Sequence, residues 1–401
     1  AAPSPPTAPL PPATPAPPVV PARSVPPPAP LPDRSALDLP RARDGAATRR
    51  VALLLALGFA IPFALVSLGL VALSVWMVAA GRYAWCTFPA AAGLGMLYAV
   101  LRRAPQEPHG VPLGRGVAPA LHALVDEVAR EVGTTPPGDV RLVLPPTGEI
   151  GRRSDLRDGD GLVLGLTLLA ALDRDQLRTV LAHELAHQRM RHTVTALIVG
   201  RTFDALAALD AHVAFLRRRA SLFALIGGAV RTAIARYAAF ARPIVVELRR
   251  GQEVAADEVA AAVTGAATAC ATLERVETVD DAYGAWVRDV LRPALDAGHR
   301  PPLAAGFAAY LERPEVRRRG EAAVAAARHD VTPLPGTAHP PLGARLAIAR
   351  DAGARSSAAR AADRRPAIDL LERLDLLEQQ LLAELAGPER VAALRPVQAA
   401  A

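Results

Sequence analysis

Residues 51–101 constrain the fold of this 401-residue chain more than any other part. Val51 to Ala80 is thirty residues without a charge, Gly81-Arg82 interrupts, and Tyr83 to Leu101 adds nineteen more before Arg102-Arg103. At about 1.5 Å per helical residue the first run exceeds the roughly 30 Å hydrocarbon core of a bilayer. Two such runs back to back predict a transmembrane hairpin with a very short turn rather than a buried soluble pair of helices. Arg41, Arg43, Arg49 and Arg50 precede the block, Arg102 and Arg103 follow it, and Arg82 alone lies in the turn. The positive-inside rule then places both ends, and everything after residue 103, in the cytoplasm. The expected location is the cell membrane, crossed twice, with the lipid bilayer as a partner.

Ahead of this block, the first forty residues hold 16 of the 38 prolines and no apolar core. Residues 1–48 therefore read as a disordered, partly polyproline-II tail and not as a signal peptide. The chain opens on Ala, which suits a processed or truncated start. Its net charge of +7 comes without a single lysine. Arginine throughout, and no asparagine, looks like coding bias, so the charge is weak evidence for a nucleic-acid partner. No basic helix or aromatic-rich strand motif supports one either, and nucleic acid is not expected. Two distant cysteines, Cys86 and Cys270, support neither a disulfide framework nor a thiolate metal site.

From about residue 115 the pattern becomes that of a folded domain. Val117 to Val132 is an amphipathic helix pattern, and Val140 to Leu144 and Leu162 to Leu166 read as short strands. Asp173 with Gln176 forms a capping-box signature that opens a helix ending near Arg191-His192. Residues 194–248 are apolar but broken by arginines. They predict long helices, on the bilayer surface in preference to further spans. Helical patterns resume over 251–270 and 368–385.

The helix opened by Asp173 carries His183-Glu184-Leu185-Ala186-His187. Residues four apart lie about 40° apart around a helix, so both imidazoles face one point. That is the geometry of a zinc site, and the glutamate between them is placed to act on a zinc-bound water. Zinc used this way needs a third protein ligand and one open position. Gly251-Gln252-Glu253-Val254-Ala255-Ala256-Asp257 offers it. Glu253 is suited to bind the ion and Asp257, on the same helix face, to accept a hydrogen bond from a ligand histidine. Glu247 and Glu258 are weaker alternatives. His192, nine residues past His183, lies about 180° round the helix and is excluded.

These motifs, in this order and at this interval, resemble the membrane gluzincins of the HtpX and CAAX prenyl protease type. A third match is Thr337-Ala338-His339-Pro340-Pro341 followed by Arg345, since members carry a similar His-Pro step and a later arginine. The resemblance covers roughly residues 115–385. It implies one Zn2+ per chain held by His183, His187 and Glu253, with Glu184 as general base and Asp257 behind a ligand histidine. It also implies His339 stabilising the oxyanion and Arg345 bracing the site. One departure is local: members carry an asparagine-alanine step at the substrate-binding edge, where this chain reads Pro146-Thr147-Gly148-Glu149.

The expected fold class is α+β, a mainly helical zincin-like metallopeptidase domain (104–401) with a small sheet, after a tail (1–48) and a transmembrane hairpin (49–103). The expected activity is zinc-dependent endoproteolysis of unfolded or membrane-associated polypeptides, with Leu162 to Leu166 as an edge strand that pairs with the substrate backbone. Two other readings stand beside it: a specific processing protease, and an inactive metal-binding membrane scaffold. The intact Glu184 speaks against the scaffold. No oligomeric state follows from the sequence.

Overall fold

The computed structural model describes residues 45–101, 109–152, 160–191, 221–330, 339–354 and 361–396. The architecture is mainly helical with one small mixed sheet. Two antiparallel helices, α1 (Gly45–Ala79) and α2 (Tyr83–Leu101), pack side by side across a turn at Gly81-Arg82. α1 begins inside the segment expected to belong to the tail, four residues before Arg49. Among the described residues one stretch, Leu53–Ala79, is long and apolar enough to cross a membrane. Many of its large side chains are exposed, including Leu65, Val75 and Trp76. Arg102, Arg103 and most of the tail lie outside the described residues.

The downstream domain opens with β1 (Val111–Pro112) and α3 (Pro119–Val132). α3 buries Leu121, Val125, Val128 and Val132, the stripe its periodicity predicts. The sheet continues through β2 (Asp139–Val143), β3 (Gly148–Arg152) and β4 (Asp160–Gly165), in the spatial order β1-β2-β4-β3. β2 and β4 are parallel, with Val140 beside Leu162 and Leu142 beside Leu164, all four buried. β3 runs antiparallel to β4, with Ile150 opposite Leu162. The segment 162–166 is therefore interior, not the edge expected from the sequence. Leu166 already starts the short helix α4 (Leu166–Ala171), and the edges are β1 and, on the side of β4, β3. The physical reason is burial: Leu162, Leu164 and Leu166 are inaccessible to water, as suits a strand flanked on both sides.

α5 (Arg174–Arg191) begins at a reciprocal capping box. The Gln176 N–H donates to Asp173 Oδ1 at 2.8 Å and the Asp173 N–H to Gln176 Oε1 at 3.1 Å. Buried Arg178 ties α5 to α3 by standing 2.8 Å from Glu127 and 2.7 Å from Glu131. Asp173→Ala should cost about 1 kcal/mol, read as a shift in the chemical denaturation midpoint. A shift near zero would mean that packing alone sets the start of α5.

The 194–248 region is described only from residue 221. There it belongs to one 44-residue helix, α6 (Ser221–Thr264), which runs through the expected break near 251. Tyr237 on α6 donates its hydroxyl to the Leu55 carbonyl of α1. Gly265, at φ +85°, ends α6 and turns the chain into α7 (Ala266–Trp286); a side chain there would be strained. α8 (Leu303–Leu311), α9 (Pro314–Ala327), α10 (Leu342–Ala354) and α11 (Leu374–Ala386) complete the longer elements. α6 packs on α5, and α10 packs on both α6 and α7. Leu177, Leu181, Leu185, Val279, Trp286 and Phe307 belong to the core that joins these helices to the sheet.

Candidate metal centre

Three helices and one turn bring the candidate residues together. α5 presents His183 and His187 from one face, their ring centroids 4.7 Å apart and their Nε2 atoms 3.0 Å apart. α6 crosses opposite them and supplies Glu253, whose Oε1 lies 3.3 Å from His187 Nε2 and whose Oε2 lies 3.5 Å from His183 Nε2. A tetrahedral ion with ligand bonds of about 2.0–2.1 Å has donor atoms about 3.3 Å apart. The three spacings, two of which run one to each Glu253 oxygen, lie close to that value, so the two imidazoles and the carboxylate converge as a zinc site requires. The donor chemistry also suits zinc.

The residues behind these donors fix their orientation. His183 Nδ1 stands 2.9 Å from Asp257 Oδ1, one turn along α6 from Glu253. A proton held there leaves Nε2 as a lone-pair donor toward the ion. Asp257 is 3% exposed and is gripped by Arg345 of α10 through two parallel hydrogen bonds of 2.9 and 2.8 Å. This bidentate pairing is the planar match that guanidinium and carboxylate make.

Charge follows geometry. Burial pushes the Asp257 carboxyl up, but the Arg345 charge and hydrogen bonds outweigh it and hold Asp257 below the usual carboxylate range. Burial likewise opposes ionisation of Glu253, and hydrogen bonds from His183, His187 and His339 overcome it, so that carboxyl too is strongly lowered. Desolvation alone would lower His183; its bonds to Asp257 and Glu253 lift it instead to about 9. Within the cluster the two buried carboxylates are thus offset by the Arg345 guanidinium and the histidines that contact them.

Glu184 lies on the same helix but turns to the strand edge, its Oε2 accepting the Ile150 N–H of β3 at 3.1 Å. It belongs to none of the three spacings above. β3 reaches this position because Gly148 has no side chain: a Cβ there would come within 2.8 Å of the Val180 side chain on α5. His339 is largely exposed and directs Nδ1 to Glu253 Oε2 at 2.8 Å. It stands beside the third candidate ligand and lines the same cleft as β3. Thr337 and Ala338 of its motif lie outside the described residues, as does His192. Of the weaker alternatives, Glu247 faces Arg250 at 3.7 Å, and neither it nor Glu258 is part of the three-residue cluster.

All seven residues line one cleft of about 770 Å3. Pro146, Thr147, Gly148, Glu149 and Ile150 form one bank, and α6, α7 and α10 form the other. The sequence did not reveal the edge strand. Gly148-Glu149-Ile150-Gly151 has one apolar residue between two glycines, too little alternation to signal a strand. The acidic α7 residues of the opposite bank, Glu277 and Asp280, were also missed, since a carboxylate on a helix gives no sign of facing a cleft.

The profile of Peptidase family M48 matches residues 156–352, a span that holds every candidate residue. The protease HtpX homologue of Acidiphilium cryptum is 31% identical over 245 residues, covering 59% of this chain and 80% of its own. That of Sulfurihydrogenibium sp. is 28% identical over 45% of this chain and 62% of its own. That of Salinibacter ruber is 30% identical over 41% and 59%. No solved structure matches the chain.

Proposed function

The chain belongs to peptidase family M48, and from that premise we propose that it is a membrane-anchored, zinc-dependent endopeptidase acting on unfolded or membrane-associated polypeptides. The observation that carries this reading is the placement of Glu184. It is outside the three-donor cluster formed by His183, His187 and Glu253, yet next to it and at the strand edge where an extended peptide would lie. A metal-storing or scaffold site has no use for such a base.

One Zn2+ per chain would be held by His183, His187 and Glu253, with Asp257 and Arg345 fixing the His183 ring. When bound, the ion would polarise the scissile carbonyl and acidify the attacking water. Glu184 takes the proton of that water and returns it to the leaving amine. The substrate backbone extends β3, not the segment 162–166, and displaces Glu184 from the Ile150 N–H. His339 exchanges its bond to Glu253 for one to the developing oxyanion. Recognition through the main chain makes for broad specificity.

The anchoring proposal takes α1 and α2 as two membrane spans, with residues after 103 in the cytoplasm. The length and apolarity of Leu53–Ala79 and the arginines flanking the block support it. Polypeptides and the bilayer are the proposed partners, and nucleic acid is not.

The test uses the full chain purified in mild detergent, with and without zinc, on an unfolded reporter protein. Cleavage at many sites only when zinc is present supports the reading. Cleavage confined to one or a few sites would favour the processing protease. Zinc bound at one per chain with no cleavage of any polypeptide would favour the scaffold.

A further inference from the structure

α7 forms one wall of the catalytic cleft and carries four carboxylates, Glu274, Glu277, Asp280 and Asp281. They divide by direction. Glu274 is paired with Arg328 at 2.9 Å, and Asp281 with Arg319 at 2.7 Å, both away from the cleft. Glu277 and Asp280 line the cleft, and among the described residues neither has a hydrogen-bond or ion-pair partner. The nearby arginine Arg275 does not serve them, since its Nε donates to the Ala171 carbonyl at 3.0 Å.

Apolar side chains, Leu273 and Val276 of α7 and Val180 of α5, line the cleft together with these two carboxylates. Thr272, Val276 and Asp280 are four residues apart on one helix face, so this side of α7 runs about 12 Å along the cleft. Both carboxylate side chains are exposed at the cleft surface, and partial desolvation together with the Glu277 carboxylate raises Asp280 to about 6. Apolar side chains beside unpaired carboxylates suit one kind of side chain: a long aliphatic stem with a cationic head.

We propose that the α7 wall is a side-chain subsite for arginine or lysine in the polypeptide substrate, with Asp280 and Glu277 as the residues that set this preference. The proposal rests on the peptidase reading above and deepens it, adding side-chain selection to main-chain recognition. A substrate with glutamate at the same position is rejected by like charge.

The test separates binding from turnover. Full-length, zinc-loaded Glu184→Gln protein is titrated with fluorescent peptides identical except for Arg, Gln or Glu scanned through each position. At one position Arg is expected to bind about tenfold tighter than Gln, and Glu more weakly than Gln. Asp280→Asn combined with Glu277→Gln should bring the Arg-to-Gln ratio close to one. Asp280→Lys should invert it in favour of Glu, an outcome that simple misfolding cannot produce. With Glu184 intact, kcat/KM should follow the same ratios. No position preferring Arg, or a preference unchanged in the double variant, overturns the subsite. Hydrolysis without an Arg preference leaves the peptidase and removes the subsite; an Arg preference in binding without hydrolysis does the reverse.

Discussion

Glu184→Gln is expected to lower kcat by about 10²–10⁴-fold, the usual contribution of a general base, while zinc content stays near one per chain. The substitution is nearly isosteric. A glutamine can still accept the Ile150 N–H that Glu184 Oε2 takes at 3.1 Å, so the position of β3 on α5 is kept. It cannot take a proton from water. The three donor atoms from His183, His187 and Glu253 are untouched, because Glu184 contributes none of them. Two readouts are needed together: metal content of the purified variant and kcat on the unfolded reporter. Equal kcat in the two proteins would falsify the role given to Glu184. A variant that has lost its zinc would instead make Glu184 part of the metal site, against its direction toward β3. KM should change little, since the proton is moved only on the way to the transition state.

The parts of this site that were legible in the sequence are those with a fixed spacing on one helix. His183 and His187 are four apart, as are Glu253 and Asp257, and a helix converts that spacing into a shared face without help from the rest of the fold. The capping box at Asp173 and Gln176 is local in the same way, and it marked the start of α5. What escaped depends on contacts between distant segments. Which strand lies at the sheet edge follows from β3 folding back onto the far side of β4, and no pattern within 148–152 encodes that. The length of α6 was hidden for a different reason: the sequence reads 194–248 and the pattern resuming at 251 as separate stretches, yet Ser221–Thr264 is one helix packed against α5 and α10. Tertiary context overrides local propensity there. The unpaired state of Glu277 and Asp280 became visible only once Arg328 and Arg319 were seen to take Glu274 and Asp281.

The pair Asp257–Arg345 separates stability from metal binding. Arg345→Met should destabilise the zinc-free protein by about 3 kcal/mol, because it leaves the Asp257 carboxylate buried without its partner. Asp257→Ala should weaken zinc binding by roughly 10–100-fold, because His183 loses the acceptor that holds its Nδ1 proton and ring angle. The two effects part company in the double variant Asp257→Leu with Arg345→Met. Removing both charges restores packing without an unpaired ion, so much of the lost stability should return. Zinc affinity should not return, since a leucine cannot accept the His183 proton. Urea denaturation of the metal-free proteins and competition with a chelator of known affinity give the two numbers. If the double variant recovers both, Asp257 acts on the metal only by supporting the fold, and the link from Arg345 through Asp257 to His183 is structural alone. If it recovers stability and stays weak for zinc, the chain of contacts from α10 to α6 to α5 positions the ligand itself. The bidentate geometry at Asp257 and the 2.9 Å approach to His183 Nδ1 favour this second outcome.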